Sequence, residues 1–81
     1  MFAFIRPVDE NDAPDVRFET WGCDMPQSPS VGETVVAPDP DNEDVIHLFE
    51  VTSVNWLFDR GSFSNVLLKV YHLETISRSD L

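Results

Sequence analysis

The chain has 81 residues, 42% of them apolar, with 15 acidic side chains against 5 basic ones and a formal net charge of −10. This length supports one domain, and the apolar content is sufficient for a core without disulfides or a structural metal. The negative charge disfavours direct binding to nucleic acid or to anionic membranes. No run approaches the ~20 apolar residues of a membrane span, and a lone Cys23 fits a reducing compartment, so we expect an intracellular protein.

The first predicted element is a strand over residues 2–5. Apolar residues recur with a period of two along most of the chain, which predicts a mainly β protein with little helix. Pro7 is expected to end the first strand, and residues 11–14 have the composition of a turn.

The second predicted strand covers residues 15–21, where apolar and polar side chains alternate. In this strand Val16 and Phe18 are expected to face the core. Residues 22–30 contain two prolines and little periodicity, so they predict a loop or a single short helical turn.

The third predicted strand covers residues 34–37, which are β-forming. Gly32 precedes this strand and is expected to adopt a positive φ, with Val31 and Val35 as core anchors on either side. Residues 38–44 contain two prolines and four carboxylates, and they predict a rigid charged loop.

A long hairpin is the clearest prediction, with arms over residues 45–58 and 64–74 and a turn between them. The alternation in the first arm changes phase near 52–53, which predicts a β-bulge that bends the strand. The polar residues 75–81 are expected to form a frayed tail. The residues expected to form the core of the hairpin are Val51, Val54, Trp56, Leu68 and Val70.

Five strands, one of them bent, predict an all-β fold in which residues 1–81 form one small, partly open barrel with at most one helical turn. The segments 29–35, 49–56 and 65–73 resemble the small SH3-like β-barrel proteins of phages and mobile elements. This resemblance covers about the last two thirds of the chain and implies a mobile-element origin. The acidity and the apolar first strand lie outside it.

Two short segments hold eight of the fifteen acidic residues. They could serve solubility alone, or they could form a recognition surface in which carboxylates on rigid loops imitate nucleic-acid phosphates and occupy a basic groove of a partner. The candidate partner-binding carboxylates are Asp9, Glu10, Asp12 and Asp15 in the first segment and Asp39, Asp41, Glu43 and Asp44 in the second.

Cation binding is a third interpretation of the second segment. Asp39, Asp41, Glu43 and Glu50 occupy the first, third, fifth and twelfth places of a calcium-loop spacing. Asp44 stands where the sharp turn of such a loop needs glycine, and no flanking helices are predicted. The sequence therefore predicts no metal site.

Catalytic motifs are not recognisable in the sequence. His47 and His72 are expected to lie close together across the hairpin, but two histidines without a third ligand do not make a zinc site. The serines lack a nearby base or a nucleophile elbow, and there is no glycine-rich phosphate loop. We therefore predict no catalytic residues and no cofactor.

Trp21 and Met25 border the proline-containing loop and are candidate interface anchors. Together with the acidic segments, they favour a non-enzymatic protein that docks on a basic protein surface, as an inhibitor of a nucleic-acid-handling protein. The alternative is a structural or adaptor barrel in which apolar edges mediate assembly. The sequence also leaves a homodimer open.

Overall fold

The protein is built from one mixed β-sheet. The computed structural model describes residues 1–59 and 62–81, apart from the side chains of residues 59 and 62–64. The mainly β class, the number of strands and the limit of one helical turn are confirmed, but the turn lies at residues 78–80 and not in the region 22–30 where it was expected. The strands are β1 (Phe2–Val8), β2 (Trp21–Asp24), β3 (Thr34–Pro38), β4 (Val45–Asp59) and β5 (Ser62–Ser77), followed by a 3-10 turn over Arg78–Asp80.

The strand order is β2-β1-β5-β4-β3, and the sheet is not closed. β1 pairs with β5 in parallel, while the other pairs are antiparallel. The sheet is strongly curled. Two strands separate β2 from β4 in the sheet, yet the rings of Trp21 in β2 and Phe49 in β4 lie only 5.6 Å apart. The fold is thus an open, curled sheet, and the resemblance to SH3-like barrels stays a prediction.

The β4–β5 hairpin is longer than its periodicity indicates. The predicted bulge is confirmed, since the register shifts between Val51 and Ser53. The expected frayed tail is wrong for residues 75–77, which extend β5 and pair with the start of β4. The Arg78 N–H then donates to the Asp44 carbonyl at 2.8 Å, which holds the turn after β5 against the loop before β4.

β1 continues through Pro7, which was expected to end it. The Pro7 carbonyl accepts a hydrogen bond from the Asp15 N–H at 3.0 Å, so the carbonyl at this position faces the loop after β1 and not β5. β2 pairs only with residues 2–5 of β1, and no strand in the described chain needs the N–H that proline lacks.

The predicted second strand over 15–21 is wrong. The Arg17 and Phe18 N–H groups bond to the Asp15 side chain and carbonyl at 3.1 Å each, and this local turn replaces a strand ladder. Val16, expected inside, is 96% exposed, whereas Phe18 packs against the core as expected. β2 instead starts at Trp21, inside the region predicted as a loop.

The turn before β3 has the expected backbone. Gly32 has a φ of 93°, and its N–H donates to the Val51 carbonyl at 2.8 Å. Val35 packs on the core as predicted, but Val31 is 62% exposed and anchors nothing.

The core lies on one face of the sheet. Val51, Leu68 and Val70 are buried as predicted, and the half-buried Val54 packs against them. Trp56 is 47% exposed, because β3 pairs with β4 only as far as Glu50 and leaves Trp56 beyond its end. The buried cluster consists of Ala3, Ile5, Phe49, Val51, Val66, Leu68 and Val70.

The strand directions decide where the acidic loops lie. β1, β3 and β5 run towards the same end of the sheet, where β4 begins, and β1 stops at Val8, opposite Tyr71 and six residues before the end of β5. We call this end, with residues 9–20 and 38–44, the acidic end; residues 56–58 of β4 are the hairpin tip, at the opposite end. In the described part of the chain, no helix has the length and apolar character needed to cross a bilayer.

Candidate functional site

The first acidic loop is organised by one of its own carboxylates. Asp9 Oδ1 accepts the Asn11 and Ala13 N–H groups at 2.9 and 3.0 Å. Asp12 has a φ of 63°, a left-handed conformation that aspartate tolerates better than most residues. Asp9 therefore shapes the loop and has one oxygen less to offer a partner.

Two further carboxylates of this loop are neutralised within the molecule. Asp12 Oδ2 lies 2.7 Å from Lys69 Nζ, and Asp15 Oδ2 lies 2.7 Å from Arg17 Nη2. The hydrogen bond from Arg17 lowers the pKa of Asp15 below its usual range. Of the four predicted residues in this loop, only the exposed Glu10 has no bonded partner within the described chain.

The second acidic loop is held by Asp39. Its Oδ2 accepts the Asp41 and Asn42 N–H groups at 3.0 Å, and its Oδ1 accepts a hydrogen bond from His47 Nε2 at 2.8 Å. The contact with His47 is the main reason that the pKa of Asp39 is lowered. The carboxylates of Asp41, Glu43 and Asp44 are exposed and make no bond within the described residues, so they remain available to a partner.

A chain of hydrogen bonds ties this loop to β4 and β5. His47 Nδ1 and His72 Nε2 lie 3.0 and 3.1 Å from the Thr75 hydroxyl, and the two imidazole rings are 5.4 Å apart, which confirms their predicted proximity. Burial, followed by Arg17 and His47, lowers the pKa of His72. Because the Asp39 carboxylate can only accept, His47 Nε2 carries the hydrogen, and the tautomer with a free Nδ1 would accept a hydrogen bond from the Thr75 hydroxyl.

This sequence of contacts resembles a relay in which a carboxylate orients an imidazole next to a hydroxyl. Thr75, however, lies within β5 directly opposite His47 in the ladder and does not line the groove described next. The direct consequence of the contacts is structural: they fix the second acidic loop on the sheet.

A groove of about 650 Å³ separates the two halves of the acidic end. Residues 16–21 form one wall, and residues 37, 38, 40 and 41 form the other. Phe49 and His47 from β4 form its base, and the Phe18 ring lies 5.2 and 5.1 Å from their rings. We call this feature the aromatic groove; its charged lining residues are Arg17, Glu19 and Asp41.

The two predicted anchors lie in different places. Trp21 lines the aromatic groove, and its ring packs on Phe49. Met25 lies at the opposite end of the sheet, where its N–H donates to the Met1 carbonyl at 2.8 Å and its side chain packs on the core. Trp21 therefore belongs with the acidic loops, and Met25 does not.

The calcium-loop spacing does not bring its residues together. Asp39 follows the end of β3, whereas Glu50 pairs with Thr34 at the beginning of β3, so the first and twelfth positions lie at opposite ends of this strand pair. Among residues 1–59 and 62–81, no three His, Cys, Asp or Glu side chains form a group that could hold a metal ion.

Comparison of the chain with protein-family models, with curated proteins and with solved structures gave no match in any of the three. The site is therefore interpreted from its own geometry. Glu19 is a groove residue that the sequence did not single out, and its only signal is proximity in sequence to Trp21; Pro38 and Pro40 were predicted to make a loop rigid, not to line a groove.

Proposed function

We propose that this protein is a non-enzymatic binding protein whose acidic end docks on a basic surface of a partner protein. The observation that supports this most is topological: the strand directions gather two acidic loops, distant in sequence, at one end of the sheet. The carboxylates of Glu10, Asp41, Glu43 and Asp44 in these loops make no bond within the described chain.

The basic residues at the acidic end already have partners within the molecule, so they do not compensate the exposed carboxylates. The chain has five basic residues, and three of them are engaged at the acidic end. Arg17 and Lys69 pair with Asp15 and Asp12, and Arg78 Nε donates to the Glu43 carbonyl at 2.7 Å. The bonds formed by Asp9 and Asp39 fix the loop backbones, so the remaining carboxylates are presented at low conformational cost.

The partner we propose is a nucleic-acid-handling protein, whose basic groove would accept carboxylates in place of phosphates. The protein would then act as an inhibitor, and a phage or mobile-element origin is supported by its resemblance to small SH3-like barrels. Four exposed contacts at ~0.5 kcal/mol each amount to roughly 2 kcal/mol, or about thirtyfold in affinity. Tight binding therefore requires further contacts, and the aromatic groove lies between the two loops.

A structural or adaptor role is the second candidate, and the hairpin tip favours it. Trp56, Leu57 and Phe58 are 47%, 36% and 64% exposed. Residues 51–58 contain no charged side chain, which is unusual in a chain of charge −10. Apolar exposed residues on a projecting hairpin suit assembly with another protein.

Competition with nucleic acid separates the two candidates. The immobilised protein is incubated with an extract of its native host at low salt and eluted first with duplex DNA or RNA and then with salt. Our proposal predicts that nucleic acid displaces the captured protein and that salt above ~0.2 M releases it. A partner that resists both, and binds more tightly as salt rises, would favour the adaptor role.

A further inference from the structure

We propose that the aromatic groove is a receptor for one arginine side chain on the basic surface of the partner. This inference rests on the proposed function and specifies the contact at its centre. The groove lies between the two acidic loops, and its volume of about 650 Å³ is ample for one long side chain and the backbone that bears it.

The base and walls of the groove suit a planar cation. Phe18 and Trp21 are half-buried and pack on the buried Phe49, so their ring positions are fixed before a ligand arrives. A guanidinium stacks on aromatic faces and is more weakly hydrated than an ammonium, which favours arginine over lysine here. The Arg17 guanidinium already lies 5.2 Å from the centre of the Phe18 ring, which shows that this ring accepts such a contact.

The charge of the groove lining is also suited to a cation. Glu19 and Asp41, on opposite walls, are exposed, and their carboxylates make no bond within the described chain. The charge of Arg17 is matched by Asp15 at 2.7 Å, which leaves the two wall carboxylates uncompensated. The groove is therefore negative, and it disfavours an acidic ligand and the acidic end of a second copy of this chain.

The test uses the two tryptophans as internal reporters. The probe is a nine-residue peptide with a central arginine flanked on each side by alternating glycine and lysine, and the control peptide carries citrulline, which has the same shape but no charge. Each is titrated into the full chain labelled with nitrogen-15. We expect the indole N–H signal of Trp21 to shift saturably and that of Trp56, at the hairpin tip, to stay in place.

Replacing arginine by citrulline should weaken binding about fivefold, the size expected for a partly exposed cation contact with aromatic and carboxylate groups. The double variant Glu19→Gln with Asp41→Asn should abolish most of the difference between the two peptides. The control, Asp24→Asn with Glu33→Gln, removes the same charge from two residues that do not line the groove and should preserve the fivefold difference.

Each failure has a distinct meaning. If both peptides bind equally well and Trp21 does not move, while signals of residues 39–44 shift, the groove is not an arginine receptor although the acidic end still binds basic ligands. If neither peptide binds at low salt, the proposed function fails and this inference fails with it.

Discussion

The acidic end and the hairpin tip are both exposed, but they are constructed in different ways. At the acidic end, Asp9 and Asp39 hold irregular loops through backbone hydrogen bonds, and the surface between them is charged. At the hairpin tip, paired strands expose Trp56 and Phe58, and residues 51–58 contain no charged side chain. The acidic loops and these exposed aromatic residues thus lie in different parts of the molecule, so mutations can test one end without altering the other.

The largest expected effect comes from charging the core between these ends. Leu68 is fully buried between β1 and β4, so Leu68→Asp should cost more than about 4 kcal/mol, comparable with the whole stability of a domain this small. Trp56→Asp, on the same face near the hairpin tip, should cost only about 1 kcal/mol. Urea denaturation measures both. Equal losses for the two variants would show that the hairpin tip belongs to the core.

A smaller loss is expected when the second acidic loop is detached. Asp39→Ala removes the acceptor of His47 and of two backbone N–H groups, so Tm should fall by a few degrees and the Asp41 and Asn42 amides should exchange faster with solvent. Asp41→Ala in the same loop is the control and should leave both measurements unchanged. If the two variants behave alike, Asp39 does not organise the loop.

Lowering the pH should reduce the stability of the folded protein in two steps. The pKa of His72 is lowered in the folded protein, chiefly by burial, so the folded state binds fewer protons than the unfolded one and stability falls as pH drops below about 6.5. The pKa values of Asp15 and Asp39 are also lowered, and their stabilisation is lost below about pH 4.

His72→Phe separates the two steps, because it keeps a ring next to Phe18 and Phe49 but cannot take up a proton. Its Tm should be nearly constant between pH 7 and 5, where that of the wild type declines modestly, and it should still fall near pH 4. A wild-type decline that survives this substitution would assign the first step to another group.

The smallest effect on stability is expected from the exposed carboxylates themselves. Neutralising Asp41, Glu43 and Asp44 with Asn, Gln and Asn removes repulsion between neighbouring charges and no bond made by the side chains, so Tm should stay equal or rise slightly. Any rise should disappear in high salt, which screens the repulsion. A clear fall in Tm would mean that these carboxylates take part in folding.

The elements that the sequence predicted well have signals contained within one segment. The hairpin and its bulge were predicted from the alternation in residues 45–58. The positive φ of Gly32 was predicted from its place before a β-forming run. Apolar and polar side chains alternate equally well in residues 15–20. The Asp15 side chain, however, accepts a hydrogen bond from the Arg17 N–H, which stabilises a turn here instead of a strand. Thr75 to Ser77 look like a polar tail because their strand partner, the start of β4, is distant in sequence.

The candidate site follows the same division. The acidic loops were visible in the sequence, and so was the proximity of His47 to His72, because the hairpin register determines it. The aromatic groove was not visible, since its walls come from segments about twenty residues apart that meet only through the curl of the sheet. Met25 looked equivalent to Trp21 for the opposite reason: the two are close in sequence, but they lie at opposite ends of β2, and only Trp21 lines the groove.

The central claim is that the position of the carboxylates, rather than the total charge, determines binding. Two variants test it: Asp41→Asn, Glu43→Gln and Asp44→Asn within the second acidic loop, and Asp24→Asn, Glu33→Gln and Glu50→Gln outside both acidic loops. Each removes three carboxylates and changes the formal charge from −10 to −7. Affinity for the arginine-containing peptide at low salt should fall about tenfold in the first variant and less than about twofold in the second. Equal losses in the two variants would contradict the claim and leave net charge as the explanation.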